Sequence, residues 1–379
     1  MKRVAHYLIL ATVLLGVPLL CCWLGGSHEI LEGLKQFPPR TEDWGFRPEK
    51  LWNVRRPFSW PWFAGMCAFT FVCLFPLVRR GLGALRKSGG CEAGDARRAF
   101  PWFGWVGLAI IAVAWVLAWT RFAWFRPFQP HTYFPLWLGL ILTLNAVAVR
   151  RSGRSPLTDH PFAYALTFPV SSLFWWFFEY LNRYVWNWYY LGISDMSAAE
   201  YLVYGTLCFS TVLPGVMAMA SVLGTFRFFD DRNYEGMGRV DVRSPVSRVV
   251  LALLAALGLT GIVFFPDCAY PLLWISPLMV FVLVQILLKE PCILDRLKGG
   301  SWGLVFRYEI AALCCGLCWE TWNYYSMAKW VYAVPWVHRW QIWEMPLIGF
   351  AGYLPFGVEC AAVTFWLYDA FGLKAETEK

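Results

Sequence analysis

Long apolar runs, alternately closed by basic and by aromatic connections, constrain this chain more than any other feature. Runs of about 17–25 apolar residues can cross a bilayer as helices, and in lipid a helix satisfies its own backbone groups. Ten are read here, at 7–24, 59–78, 101–119, 134–149, 162–181, 200–224, 248–265, 271–288, 303–325 and 345–370. The fourth is short and only FPDCAYP divides the seventh from the eighth, so nine is a second reading. The expected fold class is all-α, a polytopic transmembrane helix bundle. Composition agrees: 15% of the residues are charged, against about 25% in soluble domains. The 24 tryptophans and 17 tyrosines suit the two membrane–water interfaces. The net charge of +8 is spread over loops with no basic arm, which points to lipid headgroups and not to nucleic acid.

Positive charge sets orientation. RRGLGALRKSGGCEAGDARR, RRSGR, RFFDDRNYEGMGRVDVRSPVSR and KEPCILDRLK fall at every second connection. They place both termini in the cytoplasm of a multi-pass protein of the cell (inner) membrane. The outer loop HEILEGLKQFPPRTEDWGFRPEKLWNVRRPF is the exception, with basic residues partly offset by acids. MKR and its long apolar run, with no small-x-small cleavage site, read as a retained signal anchor. Twelve cysteines lie mostly in apolar segments, so no disulfide framework is implied.

One pattern occurs twice. FFEYLNRYVWNWYY carries Glu179-x-x-Asn182 and Trp188-x-Tyr190, and WETWNYYSMAKWVY carries Glu320-x-x-Asn323 and Trp330-x-Tyr332. Leu213-Pro214 likewise meets Leu354-Pro355. The first and last pairs are displaced by 141 residues (320 − 179 and 355 − 214). Spans three to six and seven to ten then form a parallel tandem repeat of four helices. The organisation expected is 1–100 (anchor, outer loop, second span and basic cytoplasmic loop), 101–240 (first repeat) and 241–379 (second repeat and short tail).

Glu179 and Asn182 lie at i and i+3 and share a helix face, as do Glu320 and Asn323. A carboxylate there is either a polar group at the end of a helix or part of a cavity shared by the two units. Glu359, Arg307 and Glu309 stand where the first unit has Ala218, Leu166 and Phe168. Intramembrane charge costs at least about 2.5–3.5 kcal/mol on insertion scales and calls for a partner or a cavity. Arg307 paired with Glu309 or Glu359 is one account. A polar path or pocket along Glu309, Gly316 and Glu320 is another, and Glu344, like Glu200, lies just before the next span. Pro214 and Pro355 are expected to kink spans six and ten. The histidines avoid mid-span, and there is no Walker loop, nucleophile elbow or HExxH. No cofactor and no metal are therefore expected.

WETWNYYSMAKWVY followed by EMPLIGFAGYLPFGVE resembles the repeated membrane domain of lycopene cyclases and related carotenoid-pathway proteins. In that family a helix end with W-x-Y is followed by a helix holding Pro-Leu-Glu-Glu, and Pro355-Phe-Gly-Val-Glu359 has a single, displaced glutamate. The resemblance implies an isoprenoid substrate, with Glu320 or Glu359 as the proton donor. Trp319, Trp322 and Tyr325 would be the π-faces steadying a cation. Three readings stay open. The first is an enzyme or binder of an apolar, isoprenoid-like lipid in an aromatic cavity, with glutamates as acid and base. The others are a transporter or channel with an acidic path between the repeats, and a non-catalytic scaffold.

Overall fold

A computed structural model describes residues 2–25, 28–39, 56–87 and 98–373. Most of the first outer loop, residues 88–97 of the basic connection after the second span, and the tail beyond 373 lie outside them. The described residues are all-α apart from four short strands. Its helices are α1 (Lys2–Leu24), α2 (His28–Lys35), α3 (Trp60–Lys87), α4 (Trp102–Trp119), α5 (Tyr133–Ser152) and α6 (Pro161–Val185). There follow α7 (Ala198–Phe209), α8 (Val212–Leu223), α9 (Pro245–Phe264), α10 (Ser276–Leu287), α11 (Gly303–Tyr324) and α12 (Tyr353–Ala370). Polar caps and prolines start several of them. Ser197 accepts the Glu200 amide ahead of α7, and Ser244 caps α9 with Pro245 in its first turn, where proline loses no helical hydrogen bond.

Among the described residues, six helical segments are long and apolar enough to cross a membrane, and seven if the pair 266–274 and 276–287, bent by 49°, counts as one span. The expected ten are not reached. The apolar part of α1, Leu8–Leu24, is shorter than the rest. Helices α6 and α11 have the length, with 25 and 22 residues, but Ser, Thr, Glu and many indole and phenol groups interrupt their apolarity. Both lie inside the bundle, where such residues find partners. The outward faces are apolar: Trp102, Trp105, Val113 and Val116 of α4 and Phe69, Phe71 and Val72 of α3 are exposed. So continuous an apolar surface suits lipid.

Element order recurs. Starts at Trp102, Tyr133, Pro161 and Val212 are followed by starts at Pro245, Ser276, Gly303 and Tyr353, displaced by 141 to 143 residues (245 − 102, 276 − 133, 303 − 161, 353 − 212). Strand β1 (Trp188–Tyr190) pairs antiparallel with β2 (Trp330–Tyr332), with Tyr189 opposite Val331 at the centre. The other strand pair is β3 (Gln341–Ile342) with β4 (Met345–Pro346).

Pro214 sits in the first turn of α8, where the span 198–223 breaks at Ser210 and Thr211. Ser171 of α6 fills the break: its hydroxyl donates to the Phe209 carbonyl at 2.6 Å and accepts from the Leu213 amide at 3.0 Å. Pro355 occupies the same place in α12, after a 3₁₀ turn over Leu347–Gly352. At the other end of the bundle the basic connections touch one another. Arg98 donates to the Gly153 carbonyl, Arg151 to Thr225 Oγ1, and Lys298 meets Asp241.

Candidate functional site

The two Glu-x-x-Asn pairs build the same device. Helix α6 ends as Trp186 enters the left-handed region (φ 51°) and the chain turns back. Asn182 holds that turn: Oδ1 accepts from the Asn187 and Trp188 amides (2.8 and 3.3 Å), and Nδ2 donates to the Trp188 carbonyl (2.8 Å). At the end of α11, Asn323 Oδ1 accepts from the Trp330 amide at 2.8 Å and Nδ2 donates to its carbonyl at 2.7 Å. Each asparagine thus acts as a piece of strand, pairing with the main chain that leads into β1 or β2.

One helical turn earlier, the glutamate fixes the side chains that the strand brings back. Alternate strand residues share a face, so Trp188 and Tyr190 both reach Glu179. Its Oε1 accepts from Trp188 Nε1 (2.9 Å), the Tyr190 hydroxyl (2.6 Å) and Trp175 Nε1 (3.1 Å). Glu320 Oε1 accepts from Trp330 Nε1 (3.3 Å) and from the hydroxyls of Tyr332 (2.6 Å) and Tyr353 (3.1 Å). Three donors on one oxygen is a pattern an acceptor-only carboxylate satisfies. Glu179 is 6% exposed and Glu320 fully buried. These are buried hubs of the interior, not ends of helices lying in water.

Gly316, four residues before Glu320, explains how Tyr353 takes part. A Cβ at Gly316 would lie 2.4 Å from the Tyr353 ring, so only glycine lets that ring lie flat on α11 with its hydroxyl at the carboxylate. The face from Glu309 to Glu320 is covered here by the phenol and does not run as an open groove.

Between the two hubs lies a cavity of about 120 Å³. Rings fixed by the glutamates wall it: Trp175, Trp188 and Tyr190 on one side, Trp330, Tyr332 and Tyr353 on the other. Trp319 and Trp274 also line it, Trp319 tilted against Tyr353 at 5.6 Å between ring centroids and Trp274 tilted against Trp188 at 5.7 Å. No lining residue carries a charged side chain. Met327, 41% exposed, marks an edge where the cavity meets the surface.

Of the residues singled out from sequence, Trp319 and Asn323 line this cavity, and Glu179, Glu320 and Asn182 stand directly behind its walls. Trp322 is buried against Trp115 and Trp137 instead. Tyr325 is 53% exposed and packs on Trp119. Glu344 is bonded to Lys329 in the connection between α11 and α12. Arg307 faces Asp231 at 3.8 Å, a residue of the acidic connection and not one of the two expected glutamates. Glu359 is 3% exposed on α12, and its Oε2, like that of Glu309, is buried without a hydrogen-bond partner; neither lines the cavity. Trp175, Trp274 and Tyr353 were not foreseen. The signal for Trp175 was its position four residues before Glu179, a helical neighbour on the same face; nothing local marked Trp274 or Tyr353. Among the described residues no group of three or more His, Cys, Asp or Glu is placed to hold a metal. Comparison with protein families, curated proteins and solved structures found no match to the chain.

Proposed function

We propose that this protein is a multi-pass membrane protein, made of two parallel four-helix units, that binds one end of an apolar lipid between them. The observation that carries the reading is the cavity walled by eleven indole and phenol rings, six of which turn an N–H or O–H toward Glu179 or Glu320. Such walls offer a ligand π-faces and apolar edges and few hydrogen bonds. Size narrows the ligand: at about 120 Å³ the cavity is close to the roughly 150 Å³ that holds a benzene. An isoprenoid, the class suggested by the lycopene-cyclase likeness, would enter by its terminal group while the rest of the chain stays in the bilayer. Glu320 would act through the rings it fixes, which favours binding over proton transfer to the ligand. The recurring element starts and the matched hydrogen bonds of the two hubs support the duplication. The gathered basic connections support a cytoplasmic face at that end, with both termini on that side of the cell membrane.

Transport along an acidic path is the second reading. It rests on the unpartnered carboxyl oxygens of Glu309, Glu320 and Glu359, and the Tyr353 ring over Gly316 counts against its continuity between Glu309 and Glu320.

The test is mass spectrometry of lipid co-purified in mild detergent from wild type and from Val212→Phe. Val212 lies on the cavity wall in the first turn of α8, and the larger ring fills the space. A discrete lipid in wild type that is missing from a folded Val212→Phe protein is expected. No bound lipid in wild type, or the same lipid in both, rules the reading out.

A further inference from the structure

The geometry points to a quaternary ammonium group as the end group held in this cavity, an inference that rests on the lipid-binding reading above and names its ligand chemistry. Three observations converge on it. The walls are ring faces, and the negative face of an aromatic ring attracts a cation, tryptophan most strongly. Five of the rings donate an N–H or O–H to Glu179 or Glu320, and Trp330 Nε1 is shared between the Tyr332 hydroxyl (2.8 Å) and Glu320 (3.3 Å). Donation to a carboxyl oxygen pushes electron density back into the ring, as hydrogen-bonded chains polarise one another. Both carboxyl groups stand behind the wall, and Glu320 Oε2 is buried there with no hydrogen-bond partner.

The second observation is what the cavity lacks. Six ring donors point to the glutamates, Ser326 Oγ is bonded to the Trp322 carbonyl, and no Lys or Arg lines the cavity to balance a phosphate or carboxylate. A primary ammonium needs three acceptors. A methylated ammonium needs none. Its compact, apolar, positively charged surface is what such walls accommodate.

Third, the surroundings are acidic or neutralised. Asp195 and Glu200 are exposed beside the lining residues Met196 and Tyr201. Nearby basic groups are engaged: Lys329 with Glu344, His131 with Glu200, and Arg121 on the Tyr325 carbonyl. The two hubs differ in one respect. Arg183 lies close enough to Glu179 for its charge to be felt there, while the corresponding residue in the second unit, 141 positions on, is Tyr324. Glu320 has no such cation beside it.

The experiment uses full-length protein in a neutral detergent and compares choline with its uncharged carbon isostere, 3,3-dimethylbutan-1-ol, by equilibrium dialysis. Choline is expected to bind at least about tenfold tighter, given a desolvated cation–π interaction. Glu320→Gln should abolish that preference, choline and its isostere then binding equally, whereas a merely structural role would weaken both ligands and keep their ratio. Glu179→Gln should reduce it less, and Tyr332→Phe, which keeps the ring and loses the bond to Glu320, should reduce it partly. Dodecyltrimethylammonium is the third probe: much tighter binding than choline identifies a lipid-borne group, and equal binding a free solute, both within the proposal. Equal affinity of wild type for choline and isostere, both lost in Val212→Phe, overturns the ammonium assignment and leaves the apolar-lipid reading intact. If neither binds, the assignment falls, and the co-purification result then decides whether the lipid-binding reading falls with it.

Discussion

Asn182 and Asn323 show how a single side chain can decide a local fold. Each replaces a stretch of strand, so its removal strands a buried main-chain N–H and C=O. Leaving a buried polar group unpaired costs on the order of 1–3 kcal/mol. Asn323→Ala is therefore expected to lower stability by about 2–4 kcal/mol, seen as a marked fall in the thermal midpoint in detergent, whereas Asn323→Gln should not restore it because the longer amide misses both groups. Gly316 is decisive for a steric reason. Gly316→Ala is expected to displace Tyr353 from Glu320 and cost roughly 1–3 kcal/mol as overpacking, and a second change, Tyr353→Leu, should return part of the loss. His338 gives a pH dependence. Burial pushes its imidazole down to about 4, and the Gln341 amide nitrogen at 2.5 Å from Nε2 suits a neutral, accepting ring. Its unfolded value is near 6.5, so between pH 6.5 and 4 the unfolded chain binds the extra proton and stability falls as pH falls. Thermal midpoints measured from pH 7.5 to 4.5 should drop more steeply for wild type than for His338→Gln.

At the scale of elements, the short strands matter beyond their length. Strands β1 and β2 tie the connection after α6 to the connection after α11, and through Trp188, Tyr190, Trp330 and Tyr332 they place both hubs against one space. Helix contacts depend on small residues for the same reason that the hub depends on Gly316. Helices α4 and α5 meet where a Cβ on Gly107 would lie 2.6 Å from the Gly139 carbonyl, and one on Gly139 would lie 2.8 Å from the Gly107 carbonyl. Without a hydrophobic drive inside lipid, such backbone approach is what holds helices together. Gly139→Leu is expected to separate this pair and lower the thermal midpoint, while Val113→Leu, on the outward face of α4, should leave it unchanged.

For the whole molecule, the basic connections meet at one end and Cys268 is exposed in the turn that follows α9. With the basic end in the cytoplasm, Cys268 faces outward. A membrane-impermeant maleimide should label it in intact cells, and Cys268→Ser should remove that signal; labelling only after lysis would reverse the orientation. The helical class, the shared helix face of each Glu-x-x-Asn pair and an irregularity at Pro214 and Pro355 were legible in the chain, because each follows from interactions between residues within a turn or two of one another. The spans were legible in position but not in number, since apolarity alone does not separate a lipid-facing helix from α6 and α11, whose polar residues find partners inside. What the sequence by itself determined is the repeated Glu-x-x-Asn spacing, which puts each acid one helical turn before its asparagine. Only the tertiary structure decided that the two acids share a cavity, that Tyr353 and not Trp322 completes the second hub, and that Glu359 stands apart. Those outcomes depend on which helix faces meet across more than a hundred residues of chain, and local spacing carries no record of that.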